Sequence, residues 1–172
     1  MTSDNVKYLI DTNIFIQSKN LCYPFNFAPG FWDWLEQING KDSVISIAPV
    51  YAETQNFKDE LATWCKLHKK LFASLDVKVY QEIATIKSIL DSRKIEQSKI
   101  NQFMSGIADP YLIAYAKVHD YVVLTHEINP VNDSLCANKK IQIPPVCKLM
   151  GVKCITLYQL LKTVQTHKLI LQ

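Results

Sequence analysis

A chain of 172 residues with a formal net charge of +3, 48% hydrophobic and 20% charged, has the size of one domain, since domains run to roughly 100–200 residues. This composition excludes a disordered polymer, and five cysteines spread over such a length exclude a disulfide scaffold. No apolar stretch approaches the ~20 residues that span a bilayer, and Met1-Thr2-Ser3-Asp4-Asn5 is not a basic region leading into an apolar run; a soluble, cytoplasmic protein with no membrane partner is expected.

Along the chain, Val6-Lys7-Tyr8-Leu9-Ile10 is a short β-favouring run that ends at Asp11, and a helical stretch begins at about Thr12. An aromatic, proline-containing loop leads into a helix near Gly30–Asn39, and Ser43–Ile47 is a second β-like run. Pro49 suits the first turn of the next helix, where a missing N–H costs nothing. From Asp59 to about Met104 the apolar residues recur at three- and four-residue steps, as on helices. Asp109-Pro110 opens another helix, and Tyr121–Thr125 is an apolar run expected of a strand covered on both faces. A loop holding Asn129, Pro130, Asn132 and Asp133 follows; Pro144-Pro145 precede a short helix, Val152–Thr156 reads as a strand, and a helix starts at about Leu157. Strands separated by helices predict an α/β, single-domain, mostly parallel sheet with helices on both faces over residues 1–172. Sites in such sheets form beyond the carboxyl ends of the strands.

Cys22, Cys65, Cys136, Cys147 and Cys154 are odd in number and contain no C-x-x-C pair, which predicts reduced thiols, buried or incidental. Of 19 basic residues only Arg93 is an arginine. Lysine meets phosphate as a mobile point charge, so a nucleic-acid partner would be held by its backbone; a solvated lysine surface explains the charge equally well.

Four carboxylates abut apolar segments. Asp11 follows the first strand, Glu53 follows Pro49, Asp109 precedes Pro110, and Glu127 follows Thr125-His126 at the end of the third good strand. Taken singly, Asp11 and Asp109 can be helix caps, Glu53 a solvated helix residue and Glu127 a loop acid. Brought together by a parallel sheet, the four would repel one another without a cation, and an oxygen-only set suits Mg²⁺ or Mn²⁺. That arrangement serves phosphodiester hydrolysis, with Thr12, Asn13 and Thr125 orienting carboxylates and water. His126 is a weaker candidate for protonating a leaving oxygen. Lys66, Lys69 and Lys70 are either phosphate contacts or a solvated helix face, and His68, His119 and His167 are expected at the surface.

The stretches Leu9-Ile10-Asp11-Thr12-Asn13-Ile14-Phe15, Pro49-Val50-Tyr51-Ala52-Glu53, Ala108–Ala116 and Val122-Val123-Leu124-Thr125-His126-Glu127 resemble, in order and spacing, the PIN-domain family and its VapC-like toxin ribonucleases. The likeness runs from about Val6 to Leu161. It implies a Mg²⁺- or Mn²⁺-dependent endoribonuclease acting on RNA, often dimeric and often restrained by a cognate antitoxin encoded alongside. The family's acids fall on Asp11, Glu53 and Asp109; the fourth is commonly aspartate and here is Glu127, with Asp133 as a fallback. The segment from Tyr23 to Trp34 and the Thr-His-Glu ending resemble a little-characterised PIN-like branch. The same segment reads as a stacking platform for unpaired bases, a partner surface, or core packing. Two other functions fit the residues less fully: a non-catalytic nucleic-acid or protein-binding module, and a phosphatase, whose Asp-x-Asp-x-Thr pattern is missing because position 13 is asparagine.

Overall fold

Five short strands, all parallel, form the centre of the molecule, in a computed structural model that describes residues 6–39, 43–127, 129–130, 134–137 and 139–163. They are β1 (Lys7–Ile10), β2 (Val44–Ile47), β3 (Phe72–Ala73), β4 (Tyr121–Leu124) and β7 (Cys154–Ile155), in spatial order β3-β2-β1-β4-β7. β1 lies in the middle, with Tyr8 opposite Val44 on one side and Val122 on the other. Its last two residues, and the last three of β4, are buried, as an inner strand covered on both faces requires. The predicted α/β architecture, a parallel sheet with helices on both faces, is the one observed.

The helices are α1 (Thr12–Gln17), α2 (Pro29–Asn39), α3 (Ala48–Gln55), α4 (Glu60–Leu67), α5 (Val77–Asp91), α6 (Gln97–Met104), α7 (Asp109–His119), α8 (Ile143–Met150) and α9 (Leu157–Thr163). Pro49 and Pro110 occupy the first turns of α3 and α7 as expected. Pro144 and Pro145 lie inside the first turn of α8 rather than ahead of it, because a first turn tolerates missing N–H groups. The stretch from Asp59 to Met104 is not all helix. It includes β3, a two-residue edge strand too brief to interrupt the apolar spacing. An antiparallel ribbon, β5 (Cys136–Ala137) with β6 (Lys140–Ile141), lies in what reads as loop. Among the described residues, no helix is long and apolar enough to cross a membrane.

The aromatic segment serves mainly as packing. Phe31, Trp32 and Trp34 of α2 are buried; Tyr23 stacks on Phe31 at 4.3 Å between centroids, and Phe25 on Trp32 at 4.1 Å. Trp32 meets Trp64 of α4 edge-on at 5.0 Å and donates from Nε1 to the Tyr23 carbonyl at 2.9 Å, joining the segment to the core. Phe27 alone of its aromatic rings is largely exposed, at 67%. Phe25→Ala is therefore expected to lower unfolding free energy by about 1–2 kcal/mol, whereas Phe27→Ala stays within about 0.5 kcal/mol in urea titrations. Equal losses for the two would mean that the stacks do not anchor the segment.

Candidate functional site

The order β3-β2-β1-β4-β7 reverses direction at β1. The chain builds outward from β1 through β2 to β3, then crosses to β4 on the other side. Such a reversal leaves a crevice beyond the carboxyl ends of the two strands that flank it. Asp11 follows the last residue of β1, and its backbone N–H donates to the Leu124 carbonyl at 3.0 Å. Thr125 follows the last residue of β4, so Asp11 and Thr125 face each other across the switch.

Their side chains form a satisfied polar network. The Thr125 hydroxyl donates to Asp11 Oδ2 at 2.7 Å and accepts from Asn13 Nδ2 at 2.9 Å and from the Glu127 N–H at 3.1 Å. A hydroxyl has one proton and two lone pairs, so Thr125 is fully used. Asn13 Oδ1 accepts from the His126 N–H at 2.9 Å, which ties the start of α1 to the segment leaving β4. The Thr12 hydroxyl donates to Glu53 Oε2, tying α1 to α3. Below, the buried Ser46 hydroxyl donates to the Ile10 carbonyl at 2.7 Å and steadies the residue that precedes Asp11.

The capping explanations for Asp11 and Asp109 do not hold. Asp11 stands at the N-cap of α1 but makes no side-chain cap hydrogen bond, and Asp109 is the first residue of α7, with Ala108 at the cap. Asp11 is 3% exposed. Burial, then the charge of Asp109, pushes its carboxyl well above the ordinary range; the Thr125 hydrogen bond pulls the other way. Asp109 is pushed up to about 7, first by burial and then by Glu127 and Glu53. Burial also raises Glu127, opposed by the Ile143 N–H and by Lys140. The four acids thus belong to one electrostatic unit: Asp109 interacts with Asp11, Glu53 and Glu127.

The hydrogen bonds account for how the acids are disposed. Glu127 reaches away from β4 to accept the N–H of Ile143, at 2.6 Å, at the start of α8, and Glu53 turns to Thr12. Helix N-termini present unpaired N–H groups, and the longer arm of glutamate brings Glu127 to one of them. Among the described residues, no three His, Cys, Asp or Glu side chains are gathered closely enough to form a ready metal-holding group. Asp133, the alternative fourth acid, and His167 lie outside the described residues.

Burial lowers the His126 pKa, and its Nε2 is buried with no hydrogen-bond partner among the described residues, so it is poorly suited to carry the proton for a leaving group. His68 and His119 are half-buried rather than at the surface, the first stacked on Trp64 at 4.2 Å and the second 3.0 Å from Asp76. Lys66, Lys69 and Lys70 are exposed, and Lys69 lies over the Tyr51 ring at 5.5 Å. Sequence reasoning missed Lys140 on β6, whose charge reaches both Asp109 and Glu127. A lysine in an apparent loop carries no signal of its own; the only hint was its place between the acids of the third strand and the prolines of α8.

Comparison with curated proteins yields no match. The model of a family described as a domain of unknown function, DUF4411, matches residues 8–167, a span that holds all four acids, both strands of the switch and α8. With nearly its whole length matched, this chain belongs to the DUF4411 family.

Proposed function

We propose that the protein is a Mg²⁺- or Mn²⁺-dependent endoribonuclease whose site is formed by Asp11, Glu53, Asp109 and Glu127. The observation that carries this reading is the buried Asp11 carboxylate held by Thr125 at the switch of a parallel sheet, with Asp109, Glu53 and Glu127 near enough that burial and then like charge raise Asp11 and Asp109. Partly buried carboxylates that raise one another's proton affinity, with Lys140 as a countercharge acting on Asp109 and Glu127, suit a hard divalent cation, and the donor set is oxygen only. Asp11, Glu53, Asp109 and Glu127 would hold the cation, which when bound activates water and offsets charge on a phosphodiester oxygen.

The chain's own residues supply position. Thr125 and Asn13 fix the Asp11 carboxylate, and Thr12 holds Glu53. Lys140 stands where a phosphate would be drawn toward the acids, and beside its ribbon opens a groove of about 1030 Å³ lined in part by Arg93, Lys94, Lys99 and Lys148. Lysine-rich surroundings favour contact with the RNA backbone over reading of bases. Lys140→Ala is expected to raise KM for RNA roughly tenfold while kcat changes little, because it removes a contact made equally in ground and transition states. A fall in kcat with KM unchanged would assign Lys140 to the chemistry instead.

The resemblance to VapC-like proteins supports a finer reading: a cytoplasmic toxin, active as a homodimer and restrained by a cognate antitoxin protein. The direct test of the activity is cleavage of a mixed single-stranded and hairpin RNA in Mn²⁺, Mg²⁺ or EDTA. Cutting that needs the metal supports the nuclease. RNA binding indifferent to metal favours the second reading, a non-catalytic PIN-like binding module. That reading draws on the protein hydrogen bonds that already engage Asp11, Glu53 and Glu127.

A further inference from the structure

We propose that the groove between the α5–α6 turn, the segment after Glu127 and the outer face of α8 is a second RNA site, which holds a single-stranded flank of the substrate beyond the four acids. The proposal rests on the reading of RNA as the substrate. The groove encloses about 1030 Å³. One end of it adjoins the acids: Asn129 lies two residues beyond Glu127, and Pro145 two residues beyond Ile143, whose N–H holds Glu127 at 2.6 Å. A strand that leaves the acids on the Glu127 side has this groove before it.

Two kinds of surface line it. Arg93, Lys94, Lys99 and Lys148 bring positive charge, and Arg93 is the chain's one arginine. Against them, among the described residues, stands one acid, Glu96, which is already paired with Lys99 at 3.0 Å. The rest of the lining is partly apolar. Ile95, Leu135 and Leu149 are half-buried and keep some surface open to the groove.

Phosphates and bases ask for different surfaces, and the groove offers both. The cations meet the backbone, whereas an unpaired base can lie on aliphatic side chains or on the plane of the Arg93 guanidinium. A surface that was only basic would prefer a duplex, whose charge density is the greater. A duplex keeps its bases inside, so Ile95, Leu135 and Leu149 gain nothing from one; the lining therefore selects the single strand. An acidic peptide would also satisfy the cations. Continuity with the acids favours RNA, because a strand that is cut there continues past them.

The test is fluorescence anisotropy of the full-length protein in EDTA, over a series of salt concentrations. The probes are a labelled unstructured RNA of about 12 nucleotides, a duplex RNA of the same length and a glutamate-rich peptide. The single strand is expected to bind more tightly than the duplex. Arg93→Ala with Lys94→Ala should weaken that binding about tenfold and flatten the slope of log K against log salt by about 1.4, or about 0.7 for each lost contact. Both side chains are exposed in a turn, with no hydrogen bond or ion pair among the described residues, so the variant keeps its fold, as circular dichroism checks. Lys66→Ala with Lys70→Ala removes the same charge from exposed positions ahead of β3, at the other edge of the sheet, and should leave affinity and slope as in wild type. Equal losses in the two double variants would overturn the proposal. So would tighter binding of the duplex or of the acidic peptide, or no binding of the single strand by wild type. Cleavage in Mn²⁺ is scored separately. Metal-dependent cutting with RNA binding indifferent to Arg93 and Lys94 overturns the groove and leaves the nuclease standing; binding in the groove without cutting does the reverse.

Discussion

Asp11→Asn is expected to lower metal-dependent RNA cleavage by on the order of 100-fold or more while the chain stays folded, since even partners that merely orient a metal ligand cost 10–100-fold when removed. The substitution keeps the side chain's shape and one carbonyl oxygen. Thr125 can therefore still donate to position 11, and the network through Asn13 and the His126 N–H survives. What disappears is the negative charge at the centre of the switch. Circular dichroism and denaturant titration should match or exceed wild type, because a buried, repelled carboxylate has been replaced by a neutral amide. A folded Asp11→Asn protein that cuts the same RNA at the wild-type rate would refute the assignment of Asp11 and, with it, the nuclease as drawn here.

Asp109→Asn is expected to stabilise the cation-free protein at about pH 8 by about 2–4 kcal/mol, a tenfold change in proton affinity being worth about 1.4 kcal/mol. In the folded chain the Asp109 pKa stands at about 7, pushed up first by burial and then by Glu127 and Glu53, against 3.8 ordinarily. Below the ordinary value, both folded and unfolded chains are protonated at this position and it contributes nothing to stability. Between the two values the unfolded chain ionises while the folded chain keeps its proton, so folding weakens as pH rises; above the upper value the loss is complete. The stability gap between Asp109→Asn and wild type should therefore open across that window and close at about pH 4. Mg²⁺ or Mn²⁺ should narrow it from the other side by stabilising the wild type, because a ligand that binds only the folded state raises its apparent stability. Urea unfolding at several pH values, with EDTA or with metal, measures all of this. A gap independent of pH would mean that Asp109 is ionised at ordinary cost and that the four acids do not act as a unit.

Much of this arrangement is legible because the main strands advertise themselves. Leu9-Ile10 and Val122-Val123-Leu124 are apolar without alternation, which requires burial on both faces, and the polar residues that follow must then lie at the crevice. Pro49 and Pro110 mark the starts of α3 and α7, and so place Asp109 at the first position of α7 and Glu53 in the second turn of α3. What the sequence conceals is what depends on pairing at a distance. β3 and the β5–β6 ribbon contribute two residues each per strand, too few for any periodicity to appear. Glu127 follows a recognisable strand, but its anchor is a backbone N–H 16 positions away, a donor that every residue except proline possesses. The aromatic segment is open to three readings because tryptophan and phenylalanine serve cores and surfaces alike; only burial separates Phe31 and Trp32 from Phe27.

The central place of β1 also orders events in time. The Thr125–Asp11 hydrogen bond closes over 114 positions, and β1 finds its second partner only in β4. As the chain leaves the ribosome at about 5–20 residues per second, β1 and β2 can pair early, since they are close in sequence, whereas contacts of such long range form late and slowly. For several seconds the nascent protein carries Asp11 and Glu53 without Asp109, Thr125 or Glu127. The crevice between β1 and β4 does not exist until residues 121–127 have emerged and docked. Biosynthesis thus proceeds for most of its course with the four acids apart, and the site comes together late: β4 slots in beside β1, and Glu127 gains its anchor only once Ile143 has followed.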